Sequence, residues 1–371
     1  MTKQSHKRLP RDPSAIGSLA MTKSMKNVND IEAIKKLDPR DSYGSTDMLL
    51  QQCRAAWKEV NDLPITFDAT DIKNIVFCGM GASIYGALVT KALMGLQMPY
   101  PSEVITDYHL PAYVDEHTLV VLTSYSGTTE EVLSCAEEAK DKNAKMLILT
   151  HGGQLAEFAQ THNVPAYIFD GKVNPSGVPR LGNGYTVLGL IGLLNKARII
   201  DIEDQEIENA INRLEEKLPE IKGQALTEFE IFQDKIPVII AGEHLAGNAQ
   251  ILRNQFNETS KSFSCYYLVP DLNHHLMEGL QFPSVHRLHF LILNSPNYSP
   301  KIKRRMELTI EVIKQNKHEM HEFMSSGQTI YDDFLETLAY GSYLTLFLAL
   351  RYDQDPAVNP FVDWFKNKLK E

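Results

Sequence analysis

Apolar positions in this chain fall into two patterns. Short, nearly unbroken runs occur at about 74–78, 103–106, 118–123, 145–149 and 166–169. Between them lie stretches whose apolar residues recur every three or four positions. Val132, Leu133, Ala136 and Ala139 line one face of a helix over 130–140. Leu49, Cys53, Ala56, Trp57 and Val60 do the same over 48–60, where Ser45 or Thr46 can cap the start. A further helix is predicted over 183–198. Continuous apolar strands alternating with amphipathic helices predict a parallel sheet covered by helices on both faces.

The second half repeats the pattern weakly. After a charged helix over Glu203–Gly223, Val238-Ile239-Ile240-Ala241-Gly242-Glu243 and its helix parallel Val76-Phe77-Cys78-Gly79 and its helix. Leu288–Asn294, followed by Ser295-Pro296-Asn297-Tyr298, parallels Leu119–Ser126. The fold class expected is α/β: two doubly wound parallel-sheet units related by an internal repeat, plus C-terminal helices. The long apolar helix Ile330–Arg351 is the expected seam between chains. Pro356 and Pro360 bracket a bend into a last helix, Phe361–Leu369. The divisions expected are a basic disordered tail (1–28), N-terminal helices (29–61), a first unit (62–202), a linker helix (203–225), a second unit (226–353) and a terminal helix (354–371).

Composition narrows the class. The chain has 371 residues, 43% of them hydrophobic, enough for two or three cores. A net charge of −10 and the lack of a basic, aromatic-interleaved patch argue against nucleic acid as partner. The longest apolar run, Tyr343–Leu350, is too short to cross a bilayer, and the first residues lack the apolar core of a secretory signal. Cys53, Cys78, Cys135 and Cys265 are far apart and form no C-x-x-C pair, which suits free thiols in a reducing cytoplasm.

Two strand–loop–helix transitions stand out. Val120–Thr123 runs into Ser124-Tyr125-Ser126-Gly127-Thr128-Thr129 before the helix from Glu130. Hydroxyls and backbone N–H groups at a helix start suit a dianion, although an ordinary Ser/Thr cap fits the same residues. Asn74–Cys78 runs into Gly79-Met80-Gly81-Ala82-Ser83. Loops at the carboxyl edges of neighbouring strands can converge on one ligand. Ile84 stands where a dinucleotide fingerprint needs its third glycine, so a single sugar phosphate fits better. In the second unit Pro296 removes an N–H donor from the matching turn, so one phosphate site, on the first unit, is expected.

These residues carry a resemblance. Cys-Gly-Met-Gly-Ala-Ser at 78–83, with Ser-Tyr-Ser-Gly-Thr-Thr-Glu-Glu at 124–131, resembles a sugar isomerase (SIS) domain. Val178-Pro179-Arg180 with Gly184-Tyr185, then Asn257-Glu258, then Leu272-Asn273-His274 narrow it to the bifunctional phosphoglucose/phosphomannose isomerase family, from about residue 45 onward. The resemblance implies a metal-independent aldose–ketose isomerase without a cofactor. It would act on glucose 6-phosphate, and mannose 6-phosphate, giving fructose 6-phosphate.

That reaction needs ring opening, a base moving a proton between C2 and C1, and a group that stabilises the enediolate. Glu258, with Asn257 before it and Lys261 after it, resembles the family's Asn-Glu-Asn-x-x-Lys signature, with Thr259 in place of Asn; by resemblance it is the base. From residues alone it reads first as a solvated helix glutamate pairing with Lys261 at i+3. His274 matches the family histidine that opens the ring, reaching the site from the other subunit of a homodimer. His275 replaces an Asn there, and Asp271, His274, His275, His286 and His289 show no firm metal-ligand spacing. Lys366 matches a lysine that assists ring opening, with Lys368 as runner-up. Arg180, a surface charge or an anion clamp by its Pro-rich loop, would stabilise the enediolate. Gly81, Ala82, Ser83, Ser124, Ser126 and Thr129 would hold the phosphate. Ala82 replaces a family glycine. A non-catalytic sugar-phosphate sensor on the same fold is the alternative.

Overall fold

A computed structural model describes residues 30–283, 287–369 and 371. The tail expected over 1–28 lies outside the described residues. Three helices come first: α1 (Ile31–Leu37), α2 (Ser42–Asp47) and α3 (Leu49–Asp62). The first unit follows as β1 (Asn74–Gly79), α4 (Tyr85–Met94), β2 (Ser102–Ile105), β3 (Thr118–Ser124), α5 (Glu130–Asp141), β4 (Lys145–Thr150), α6 (Gly153–Thr161), β5 (Ala166–Ile168) and α7 (Asn183–Lys196). Helix α8 (Asp204–Glu228) leads into β6 (Ile236–Gly242), α9 (Ala246–Glu258), β7 (Cys265–Val269), β8 (Leu288–Asn294), α10 (Pro300–Gln315), β9 (Glu319–Met324), α11 (Ile330–Arg351) and α12 (Pro360–Leu369).

The strands form two sheets, in the orders β2-β1-β3-β4-β5 and β7-β6-β8-β9. Every pairing is parallel. The fold is therefore the expected pair of doubly wound units. Strand β3 is buried at every position, which explains why it reads as an unbroken apolar run. Each sheet reverses direction once, between β1 and β3 and between β6 and β8. Those switch points open crevices at the carboxyl ends of the strands.

The edge strands β7 and β9, and helix α10, are absent from the sequence reading. Strand β9 (Glu-Met-His-Glu-Phe-Met) mixes polar and apolar residues and is half-exposed, as edge strands often are, so it carries no apolar run.

The expected seam between chains is overturned. Helix α11 is buried without a break from Asp332 to Leu350 and packs inside its own chain against α8 and α9. A helix apolar on all sides is what a large core requires. The terminal helix α12 does the opposite. None of its residues is buried, and Phe361, Val362, Trp364, Phe365 and Leu369 are exposed.

The two units meet where α9 crosses α4. Gly247 makes the close approach possible, since a Cβ there would lie 2.8 Å from the Leu88 carbonyl oxygen. Gly247→Val should force the helices apart and lower the unfolding free energy by about 1–3 kcal/mol, read from urea denaturation.

Candidate active site

At the first switch point, the turn Gly81–Ile84 leads from β1 into α4. Residues 125–129 lead from β3 into α5. Ser83 ties the two loops together, its Oγ accepting the Tyr125 N–H at 2.9 Å. Ser124 Oγ accepts the Gly127 N–H at 3.0 Å and lies 2.8 Å from Thr129 Oγ1. Ser126 is exposed and its Oγ accepts the Thr128 N–H at 3.3 Å. Thr129 occupies the cap position of α5 but makes no side-chain capping bond. Its hydroxyl turns to Ser124 instead. The ordinary-cap reading therefore fails, and no side chain among the described residues caps the first turn of α5.

Gly127 is required for packing. Its φ is +67°, and a Cβ would stand 1.7 Å from the Gly152 carbonyl oxygen. Ala82 keeps negative φ, since Gly81 takes the left-handed conformation in that turn.

Arg180 lies in the turn Pro179–Leu181, which packs against the Gly81–Ile84 turn. It is 3% exposed, so the surface reading of its loop fails. Its Nε donates to Thr259 Oγ1 at 3.2 Å, one Nη donates to the Pro356 carbonyl, and Nη1 lies 3.6 Å from Glu258 Oε2. Burial draws the guanidinium below its ordinary pKa, opposed by the nearby charge of Glu258. Glu258 is the last residue of α9, with its side chain about one-third exposed at 34%. Asn359, just before α12, donates from Nδ2 to Glu258 Oε2 at 3.2 Å.

The helix carrying Glu258 ends at that residue, short of Lys261, and this changes Lys261. Thr259 ends the helix and Lys261 takes φ +57°. Lys261 Nζ folds back to the carbonyls of Glu258 (2.7 Å) and Thr259 (3.2 Å), so it bonds main chain and not the Glu258 carboxylate. Burial first, and then the charge of Arg180, push Lys261 down to about 8. Tyr85, fully buried, stands near the same cluster: burial raises its hydroxyl pKa, and Glu258 raises it further.

Arg180 and Glu258 thus come together beside the serine loops. His274 and Lys366 do not join them within this chain. His274 ends an exposed turn, Asp271–His274, and its side chain makes no hydrogen bond or ion pair among the described residues. The neighbouring His275 lies 3.3 Å from Asp271. Lys366 is exposed on α12, and Lys368 pairs with Glu371 at 2.6 Å. Asp363, in the first turn of α12, is within electrostatic reach of Arg180.

Sequence reasoning missed Asn359, Thr259 as a partner of Arg180, and Tyr85. Only Thr259 left a trace, as the departure from the signature. No three His, Cys, Asp or Glu side chains converge as a metal site among the described residues. No described helix is long and apolar enough to cross a membrane.

Two parallel-sheet units with a hydroxyl-rich crevice between β1 and β3 define the class of SIS-domain proteins. Residues 70–167 match the SIS domain family, and residues 221–369 match the family described as bacterial phospho-glucose isomerase C-terminal SIS domain. The bifunctional phosphoglucose/phosphomannose isomerase of Caldicellulosiruptor bescii is 30% identical over 89% of this chain and 99% of its own length. That of Aquifex aeolicus is 29% identical over 83% and 93%. The chain belongs to the bifunctional phosphoglucose/phosphomannose isomerase family. The crystal structure of a hypothetical protein from Thermus thermophilus shares the fold, with a TM-score of 0.65, 16% identity and coverage of 91% of this chain and 93% of that one.

Lys261 makes the site's stability depend on pH. Between its folded pKa of about 8 and the ordinary 10.5, the unfolded chain keeps a proton that the folded chain has lost. Stability must therefore rise with pH across that window through this residue, and the contribution is lost again as pH falls through 8. The unfolding free energy of the wild type relative to Lys261→Met should grow as pH is raised from 8 towards 10.5, checked by urea unfolding at several pH values.

Proposed function

We propose that this chain is a metal-independent aldose–ketose isomerase that converts glucose 6-phosphate, and mannose 6-phosphate, to fructose 6-phosphate through ring opening and a cis-enediol(ate). One observation carries the reading: Arg180 and Glu258 form a close pair whose turn packs on the loop leading from β1. A substrate with its phosphate held by Gly81, Ala82, Ser83, Ser124, Ser126 and Thr129 extends its C1–C2 end towards that pair.

In this reading Glu258 takes the proton from C2 and returns it to C1. Arg180, a cation fixed by Thr259 and the Pro356 carbonyl, balances the charge that develops on the enediolate oxygens. That is the work a Lewis acid does in other isomerases, so no metal is called on. Asn359 aims one Glu258 oxygen by hydrogen bonding to it. Ring opening falls to His274 of a second copy, assisted by Lys366. The exposed turn bearing His274 and the uncovered apolar residues of α12 support a homodimer, because contiguous apolar surface of that kind marks an interface. The four free thiols suit a reducing cytoplasm.

Fructose 6-phosphate formation from each aldose, with chelator present, is the direct test. Turnover of both is expected, and a sugar phosphate that binds without reacting would move the chain to the sensor class. Glu258→Gln should lower kcat by on the order of 10²–10⁴-fold with little change in KM. Ser124→Ala should raise KM by about 10- to 100-fold, the value of a hydrogen bond to a charged group, and leave kcat less affected. If His274 acts across a dimer, mixing the two single variants His274→Ala and Glu258→Gln should restore activity above that of either alone.

A further inference from the structure

The second sheet has its own switch point, between β6 and β8, and the loops leaving those strands meet there as the loops of β1 and β3 do. A side chain of the chain itself fills the place they enclose. Asp333, the fourth residue of α11, is 0% exposed. Its Oδ2 lies 3.0 Å from His244 Nε2, just beyond β6, and accepts from Ser295 Oγ at 2.6 Å and Asn297 Nδ2 at 2.9 Å, just beyond β8. Ser295 Oγ also accepts the Asn297 N–H at 2.8 Å, much as Ser124 Oγ accepts that of Gly127. In both units a serine hydroxyl at the end of the central strand organises the turn.

The environment is built for an anion. Burial raises the Asp333 carboxyl, but the bonds from His244, Ser295 and Asn297 to its Oδ2 outweigh it and hold the group below the ordinary value. The other ionisable groups facing it, Asp332 and Glu336 on its own helix and Tyr298 beyond β8, contribute no positive charge. Beside this plug lies a cleft of ≈ 890 Å³ whose walls include Glu243, His244, Gln250, Tyr266 and Asn297. Glu243 takes φ +41°, and its carboxylate accepts the Ser299 N–H at 2.8 Å, where α10 begins. A second carboxylate thus occupies a helix start that an external anion would otherwise use.

We propose that the second switch-point crevice is an anion site of the same construction as the first, filled by the chain's own Asp333 carboxylate. The chain then takes phosphate at one sheet only, and the donors that would hold a second phosphate instead anchor α11 to the ends of β6 and β8. This inference rests on the reading of the first crevice as the phosphate site, and not on the isomerase reaction itself.

Asp333→Ala tests it by leaving His244, Ser295 and Asn297 around a carboxylate-sized hole. The variant should melt about 5 °C or more below wild type. Sodium formate should recover at least half of that loss, while sodium chloride at equal ionic strength does not. Wild type and Asp333→Asn, whose site stays filled, should show no formate-specific gain. Equal responses of Asp333→Ala to formate and chloride would overturn the proposal. Should the variant not accumulate in soluble form, refolding yield in the two salts replaces the melt: a formate-specific recovery is expected, and equal yields overturn the idea.

Discussion

A guanidinium almost wholly removed from water must be met by partners on every side, and Arg180 imposes that condition on this molecule. Its own turn belongs to the first unit. Its partners come from the end of α9 in the second unit and from the segment that precedes α12. Satisfying one buried charge therefore fixes the second unit and the C-terminal segment against the first. The same contacts set Glu258 beside a permanent cation, with Asn359 on one of its oxygens. Stability and site geometry share the same atoms, so the Arg180 surroundings tolerate little independent change.

The two sheets show one architecture put to two uses. Each has a crevice where its strand order reverses, and each has a serine hydroxyl that bonds a backbone N–H of the turn after the central strand. At the first crevice, no side chain among the described residues caps the first turn of α5. At the second, a buried carboxylate takes up the donors and Glu243 bonds the start of α10. The difference lies less in the loops than in what α11 brings to them.

Strands β1, β3 and β4 were legible because they are largely buried and read as apolar runs, and their observed and expected limits agree closely. The edge strand β9 was not, because a half-exposed strand with charged and polar residues between its apolar ones carries no such run. Helix α11 was legible as a helix and misread as a seam. An apolar helix surface looks the same whether its cover is another chain or α8 and α9 of its own. The hydroxyls and Gly127 were visible as a motif, while the steric need for Gly127 comes from Gly152, a neighbour that only the β3–β4 pairing supplies.

Local chemistry along the chain was enough for the fold class and the serine loops, because periodicity and motif spacing are short-range properties; Glu258 and Arg180 were singled out by the family resemblance. The pairing of those two residues, the place of Asn359 and the turning of Lys261 onto main-chain carbonyls were decided by tertiary packing. So was the burial of Asp333 at the second crevice. Residues 258 and 359 share no sequence pattern that links them. They meet because the chain between them winds through a four-stranded sheet and returns, and hydrogen bonds and ion pairs depend on distance in space, not along the chain.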